Sequence, residues 1–478
     1  MYDVIIVGGG LGGLTAGAKL AKEGKRVFLV EQHDRPGGCA TTFNRKDYIM
    51  EVGLHEMDGL HPRDIKTKVF RDLGIFERVE FLELPEFYRF VNGRHDIVIP
   101  HDSEEAKTIL AEHFPDELSG IKAYFTDVLN ARKIISTASE DPLKNVGDWL
   151  DSIINNNDLK LALLGNLGYY HDDPYTLSYY YYITAQGAYY AGRANYIKGG
   201  SQQLSFALVD IIQENGGTVR LNALATKIQY KNDKPSGIEY QCMLKKEVIE
   251  ELEAEIIVIN SSLPGLAQNL LPEGKGDSLQ RAMQNIKIGA SLLTIYYGFK
   301  HPLQDIGCKN YSTFIYDESV LEQADILQNN KSDFDTRSFT FVDYGQIDSG
   351  LAPAGKSVGA VCCIDYLSDW EDLSKEEYKN RKKQAARHFT ARLNKLMPGF
   401  TDAVDYVEVG TSSTVLRYTL NPAGAVYGFA QNPDKSLDYL AMLPENIFIA
   451  SAWGKLGGGF SGAILSGYMT AFEILRRR

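Results

Sequence analysis

The stretch MEVGLHEMDG, running from Met50 to Gly59, sets a histidine, a glutamate and an aspartate among glycines. His55, Glu56 and Asp58 are residue types that carry protons, and an imidazole of unperturbed pKa about 6.5 can give or take one near neutral pH. Glycines in such number mark backbone brought close to something, and GGCATTF, from Gly37 to Phe43, lies just upstream. The blander expectation for Glu56 and Asp58 is that they are loop acids facing solvent. Arg417 and Tyr418 are further site candidates, as are Trp453 and Lys455. No Ser/His/Asp set and no metal-ligand cluster can be defended from spacing, so no metal is expected.

These candidates need elements to position them, and the first thirty residues supply one. YDVIIVGGGLGGLTAGAKLAKEGKRVFLVE reads as strand, glycine turn, helix, strand. Val4 to Val7 suits a buried parallel strand. Gly8, Gly10 and Gly13 follow in G-x-G-x-x-G spacing: the first permits the tight turn, the second lets a pyrophosphate approach, and the third lets the helix pack on the strand. Leu14, Ala18, Leu20 and Ala21 give the helix an apolar face, and Gly24 ends it. Val27 to Val30 is the second strand. Glu31 closes it and can accept hydrogen bonds from the ribose hydroxyls of an adenosine, while repelling a 2′-phosphate. A dinucleotide other than NADP is expected.

Two features favour FAD over NAD. RPGGC follows Glu31 almost at once and adds a second glycine turn beside the same half of the cofactor. At the far end, ENIFIASAWGKLGGGFSGAILSGYMTAFEILRRR again reads as strand, glycine loop, helix, with Ile447 to Ala450 the strand. Gly457, Gly458 and Gly459 open a helix with an apolar face through Ala463, Ile464, Met469 and Phe472. Its free N–H groups and partial positive charge suit the flavin edge that becomes negative on reduction. Arg476, Arg477 and Arg478 are favourable partners for its C-terminus.

Between the ends, Ser201 is expected to cap a helix carrying Leu204, Ala207, Leu208, Ile211 and Ile212, ended by Gly216 and Gly217. TVRLNALATKI then reads as one strand and AEIIVINSSLP as another. The nucleotide-binding domain is thus read from three segments, residues 1–75, 191–265 and 406–478. Residues 76–190 and 266–405 form the substrate domain. From Leu167 to Tyr190 the chain is rich in tyrosine. A helix starting near Pro174 would put Tyr175, Tyr179 and Tyr182 on one face, either as core or as the aromatic wall of a tunnel for a long apolar or conjugated substrate. No second G-x-G-x-x-G occurs, so no separate NAD(P)H domain is expected, and electrons must come from the substrate or an outside partner.

Composition sets outer bounds. The 478 residues exceed what one core usually organises. The formal net charge of -12 argues against nucleic-acid binding and against a polybasic membrane anchor. The five cysteines include the adjacent Cys362 and Cys363 and form no C-x-x-C, which reads as free thiols in a reducing compartment. No apolar stretch is long enough to span a membrane. A cytoplasmic protein with at most a peripheral membrane contact is expected.

Together the motifs resemble the phytoene desaturase-like flavoproteins, and within them the branch of carotenoid isomerases and retinol saturases. Besides the two glycine regions, GGCATTF and MEVGLHEMDG resemble the branch's double-glycine–cysteine turn and its acid-x-Gly-x-His stretch. ANYIKGGSQQL and TSSTVLRYTLNPAGAVYGF resemble its mid-chain and C-terminal signatures. The resemblance covers nearly the whole chain. It implies a discontinuous Rossmann-like α/β FAD-binding domain of the amine oxidase type, with an inserted α+β substrate domain. It implies action on a carbon–carbon double bond of an isoprenoid-like lipid, as saturase, desaturase or redox-neutral isomerase. Carried over by position, Gly8, Gly10, Gly13, Glu31, Gly38 and Gly459 would bind FAD, and Ala225 would touch the adenine. Gly12, Gln32, Arg35, Gly37, Cys39, Gly53, Leu54, Trp453, Gly458, Phe460 and Ser461 complete the expected cofactor set. Many relatives have arginine where Cys39 stands, so Arg35 is expected to meet the pyrophosphate. Ser451 replaces a frequent glycine. Saturase-like chains often have tyrosine where Glu56 stands, which counts against an entirely apolar lipid. Gly53 would let the backbone pass beneath the flavin and place His55 near its face, either as a protonated imidazole donating to carbon or as a hydrogen-bonding group only. An amine oxidase and a non-catalytic flavin-binding lipid carrier are the competing readings.

Overall fold

The computed structural model describes residues 1–137, 141–245 and 248–477; Arg478 of the terminal arginine run lies outside them. Two seven-stranded sheets organise the described residues. The first is built on apolar runs that read continuously because both faces are covered. Tyr2–Val7 lies between Val27–Val30 and Ile249–Ile259, parallel to each, and Thr218–Arg220 and Ile447–Ile449 extend the parallel set on either side. Ile249–Ile259 is long enough for two tasks. Its second half joins the parallel core, and its first half pairs antiparallel with Lys234–Cys242, which pairs with Ala223–Lys231. TVRLNALATKI is therefore two strands rather than one. The break falls at Leu221–Asn222, where Asn222 takes a left-handed φ of 54°.

The helix Leu11–Lys22 packs against Gln202–Glu214 and against the C-terminal helix Gly459–Arg476. The C-terminal helix approaches closely enough to require glycine, since a Cβ on Gly467 would lie 2.1 Å from the Gly12 carbonyl oxygen; a Cβ on Gly12 would lie 1.8 Å from the carbonyl oxygen of Ala450, just past the strand Ile447–Ile449. Ser201 does not cap its helix with its side chain. It already has helical φ/ψ, and its hydroxyl donates to Glu51 Oε1 at 2.7 Å.

The second sheet runs in the order Val404–Gly410, Ser291–Phe299, Ser357–Asp365, Phe339–Asp343, Ser312–Ile315, Tyr88–Val91 and Asp96–Ile99. Val404–Gly410 crosses the boundary expected after residue 405 and belongs to this sheet throughout. Strand alternation divides its two faces. Leu293, Ile295, Tyr297 and Phe299 pack on Phe389 and Leu393 of the helix Lys375–Leu396. Leu292, Thr294 and Tyr296 look the other way, into a cavity. The same period sends Cys362 to the cavity and Cys363 to the core, and all five cysteines are free.

Helices Leu118–Leu129, Val146–Ile153 and Tyr179–Gly192 pack together as a further layer. The tyrosine-rich helix starts at Tyr179, five residues later than expected, because residues 174–176 form a turn and Ser178 bridges to Asn145. Tyr175 lies outside the helix with its hydroxyl on Asp151. Tyr182 is core, donating to the Leu163 carbonyl oxygen. Tyr181, Thr184, Ala185, Ala188 and Tyr189 are the residues of this helix that reach the cavity. No helix among the described residues is long and apolar enough to cross a membrane.

Candidate active site

One cavity of about 1570 Å³ lies between the two sheets. It opens at the carboxyl ends of the parallel strands, where Val7–Gly8, Val30–Glu31, Asn260–Ser261 and Ser451 line it. Ligands of open parallel sheets bind at such ends. A pocket for one drug-sized molecule holds roughly 300–1,000 Å³, so this one has room for a dinucleotide and a second molecule.

The residues at one end fit a dinucleotide. Gly10 is the N-cap of the first helix and has no side-chain cap of its own. Gly13 lies off the cavity wall and serves packing: its Cβ would fall 2.3 Å from the Gly8 carbonyl oxygen. Glu31 is buried, and its oxygens accept from Gly9 N at 2.6 Å and His33 N at 2.8 Å, which leaves lone pairs for ribose hydroxyls. Gly37, Gly38, Cys39 and Ala225 line the same end. The Cys39 thiol is pushed up to about 11 by burial, so it stays neutral. Arg35 also reaches the cavity, with its guanidinium on the Thr42 carbonyl oxygen at 2.6 Å and beside Asp34.

Farther along, the second helix N-terminus, Gly458–Gly459, opens on the cavity with Phe460 and Ser461. Gly459 has a φ of +75°, and a Cβ there would meet nothing within 4 Å. It is a free cradle edge at a partially positive helix end, suited to an anionic ring edge. Trp453 lines the wall beside it, its indole N–H donating to Asn421 Oδ1 at 3.1 Å, while Lys455 is exposed. Asn260 was not foreseen. Its side-chain amide donates to the Gly8 carbonyl oxygen at 3.1 Å, and a Cβ on Gly10 would come within 2.8 Å of it.

The stretch from Glu51 to Asp58 is pinned at every turn. Glu51 is buried and accepts from Gly53 N, Leu54 N, Ser201 N and the Ser201 hydroxyl, all between 2.7 and 3.1 Å. Tyr344 Oη donates to the Leu54 carbonyl oxygen at 3.0 Å, and Tyr311 Oη donates to that of His55 at 2.6 Å. Met57 and Asn195 exchange backbone hydrogen bonds. Leu54 is fully buried in the core and does not line the cavity, which corrects its placing in the cofactor set. Gly53 does line it, but the atom nearest its missing Cβ is the Cys39 carbonyl oxygen at 2.8 Å, so protein backbone alone requires a glycine here.

Glu56 does not face solvent, and Asp58 is only partly exposed. Asp58 accepts from the ammonium of Lys66 at 2.9 Å and from the Ser461 hydroxyl, and Lys66 also donates to Ser461 at 2.9 Å with its side chain only 1 % exposed. This cluster ties the loop to the first turn of the C-terminal helix. Glu56 is buried at the cavity wall, and neither of its carboxyl oxygens has a hydrogen-bond partner. Burial, with Glu86 adding like charge, pushes its pKa well above the ordinary carboxylate value. His55 is buried beside it, its Nδ1 3.2 Å from Tyr169 Oη. Burial pulls its pKa down to about 4, so the imidazole is neutral at neutral pH and the expected imidazolium donor is corrected. Arg417 and Tyr418 sit on the helix Ser412–Thr419 at the Glu31 end. Gln32 Nε2 donates to the Tyr418 carbonyl oxygen at 2.9 Å, and the His33 and Tyr418 rings lie 5.3 Å apart. That position corrects their place among the catalytic candidates: Tyr418 stands beside Gln32 and His33 rather than beside the His55–Glu56 pair.

Two glycine-rich helix starts on one large cavity, with an acid after the second strand, define a dinucleotide-dependent redox enzyme. Residues 11–475 match the model of the flavin containing amine oxidoreductases, and the chain belongs to that family. It is 24 % identical to an all-trans-retinol 13,14-reductase of Danio rerio, over 100 % of this chain and 86 % of that one. It is 23 % identical to a chloroplastic prolycopene isomerase of Daucus carota, over 91 % of this chain and 73 % of the relative. An oxidoreductase from Methanosarcina mazei has the same fold, with a TM-score of 0.68 at 16 % identity, over 98 % of this chain and 100 % of that one. The protein is an FAD-dependent flavoenzyme.

Proposed function

We propose that this enzyme saturates one carbon–carbon double bond of a long, conjugated, largely apolar molecule, a retinoid or carotenoid in shape. The observation that carries the reading is the cavity beyond the dinucleotide cradle, walled by Tyr169, Tyr170, Tyr181 and Tyr189 with Leu292, Tyr296 and Cys362. Flat aromatic faces suit a flat polyene, and the sheet strand opposite supplies a smooth floor. The retinol reductase and prolycopene isomerase relatives support a polyene substrate.

FAD supplies two-electron chemistry, and a donor from outside the chain refills it. Gly8, Gly10, Gly12, Glu31, Gly38 and Ala225 would hold its adenosine and pyrophosphate half, and Trp453 and Gly458 to Ser461 its ring end. The pinned Glu51–Asp58 loop fixes His55 and Glu56 at the wall where the substrate would lie. Neutral His55 can hydrogen-bond and orient, and it excludes charge from the apolar cavity.

The test is the redox state of the flavin. Anaerobic enzyme reduced with dithionite is mixed with retinoids and carotenoids. A polyene should reoxidise the flavin one for one and leave a product with one fewer double bond. Isomer formation without lasting reoxidation would favour an isomerase. Reduction of the oxidised enzyme by amines alone would favour an amine oxidase. A flavin spectrum unmoved by either class would overturn the reading.

A further inference from the structure

We infer that Glu56, as a neutral carboxylic acid, is the group that delivers the proton to the substrate's double bond. The inference rests on the saturase reading and names the acid that such a reaction needs.

Glu56 differs from every acid around it. Glu51 accepts from four donors and Glu31 from two backbone amides, and Glu86 accepts from Tyr311 N at 2.6 Å. Asp58 is matched by Lys66 and Ser461. Those four are held by donors. Glu56 lies buried on the cavity wall with both oxygens unpaired. An ionised carboxylate there would forgo water without gaining a single donor, which strongly disfavours it. The protonated acid avoids most of that penalty.

The surroundings keep it so. On its own loop stand neutral His55 and the Asp58–Lys66 pair, whose charges match. The titratable groups within its electrostatic reach are Tyr169 and Tyr170 from the turn after the Asn157–Leu163 helix, Tyr189 from the tyrosine-rich helix, Tyr88 from the second sheet and Tyr311 from the segment leading into the strand Ser312–Ile315. Glu86 is the one acid that acts on it, and it opposes ionisation. A carboxyl buried without a single donor favours its protonated form, the form a general acid must hold. His55, at about 4, has none to give.

The chemistry balances. A hydride and a proton add to the two carbons of one double bond, the π bond is lost, and two C–H bonds form. The hydride equivalent comes from FAD reduced by an external two-electron donor. Glu56 loses its O–H proton, becomes a carboxylate, and regains a proton from solvent water after product leaves.

The experiment uses full-length holoenzyme, wild type, E56Q and E56D, reduced anaerobically with dithionite and mixed with the retinoid or carotenoid that wild type accepts. Wild type in D2O should place solvent deuterium on both carbons of the former double bond, because the hydrogen carried by dithionite-reduced flavin also exchanges with solvent. E56Q should keep FAD but reoxidise roughly 10²- to 10⁴-fold more slowly. The wild-type rate should hold through neutral pH and fall as pH rises through the raised pKa of Glu56. E56D, which keeps a proton, should be partly rescued and retain that alkaline limb, and E56Q should lack it. Without any substrate, wild type should show the infrared carbonyl band of a protonated carboxyl at neutral pH, absent from E56Q. A missing band, or E56Q turning over at the wild-type rate, overturns the inference. Wild-type enzyme that turns over no polyene overturns the substrate reading instead, and the infrared band, read without substrate, tells that failure apart.

Discussion

Gly459→Ala separates cofactor contact from protein packing. Gly459 begins the C-terminal helix at a φ of +75°, and a Cβ there would find no atom within 4 Å. The apoprotein thus meets no clash and only the left-handed backbone cost, about 1–2 kcal/mol. It should fold with a small loss of stability. In the holoenzyme the methyl would stand where the flavin ring edge is expected to rest. Overpacking at a close contact costs about 1–3 kcal/mol, which weakens FAD binding roughly 5- to 150-fold. Apoprotein titrated with FAD, followed by flavin fluorescence, reads the affinity, and thermal unfolding of the same apoprotein reads the fold. Gly12→Ala is the contrast. Its Cβ would lie 1.8 Å from the Ala450 carbonyl oxygen, so it should fail to fold and lose FAD for that reason. Wild-type FAD affinity in Gly459→Ala would refute placement of the flavin at this helix start.

Two further outcomes are expected. His55, held near 4 in the fold against about 6.5 when unfolded, binds its proton more readily in the unfolded chain. Its contribution to stability is present above about pH 6.5 and lost as pH falls toward 4; His55→Gln should flatten that part of an acid-unfolding series, and an unchanged slope would contradict the burial argument. Lys66→Met leaves Asp58 without its cation in a buried cluster, so denaturant unfolding should show a loss of about 3–5 kcal/mol, and Lys66→Met with Asp58→Leu should recover part of it; additive losses would mean that the pair does not act as a unit.

The nucleotide cradle was legible because its signals are local. Gly8, Gly10, Gly13 and Glu31 fall within one strand–helix–strand unit, and Gly457 to Gly459 within another. Their spacing reports backbone geometry that a few neighbours decide. The site opposite was not legible in the same way. That His55 is neutral follows from burial supplied by distant elements, including Tyr169 and Tyr311. Nothing beside Glu56 in the sequence says that its carboxyl ends in a wall without donors. Lys66 meets Ser461 across 395 positions, and Asn260 meets Gly8 across 252. The tyrosine helix shows a third limit. Spacing identified a striped helix but could not tell which stripe faces the cavity, since Tyr181 and Tyr182 are equally aromatic and point to different places. Val404–Gly410 was divided because an edge strand's partner, Ser291–Phe299, lies more than a hundred residues away.

The contact between Gly12 and the Ala450 carbonyl, with Gly467 packed on the Gly12 carbonyl, has a consequence for biogenesis. The glycine turn after the first strand leaves the ribosome more than four hundred residues before the segments that build its back wall. A nascent chain therefore carries this glycine turn without its back wall, and the parallel sheet without its Ile447–Ile449 strand, while the intervening residues are made. Such long-range closure is slow and leaves strand edges exposed to aggregation. Flavin loading becomes a late event that follows synthesis past residue 467, and free FAD in the cell should raise the yield of intact enzyme by trapping the chain once its two ends have met.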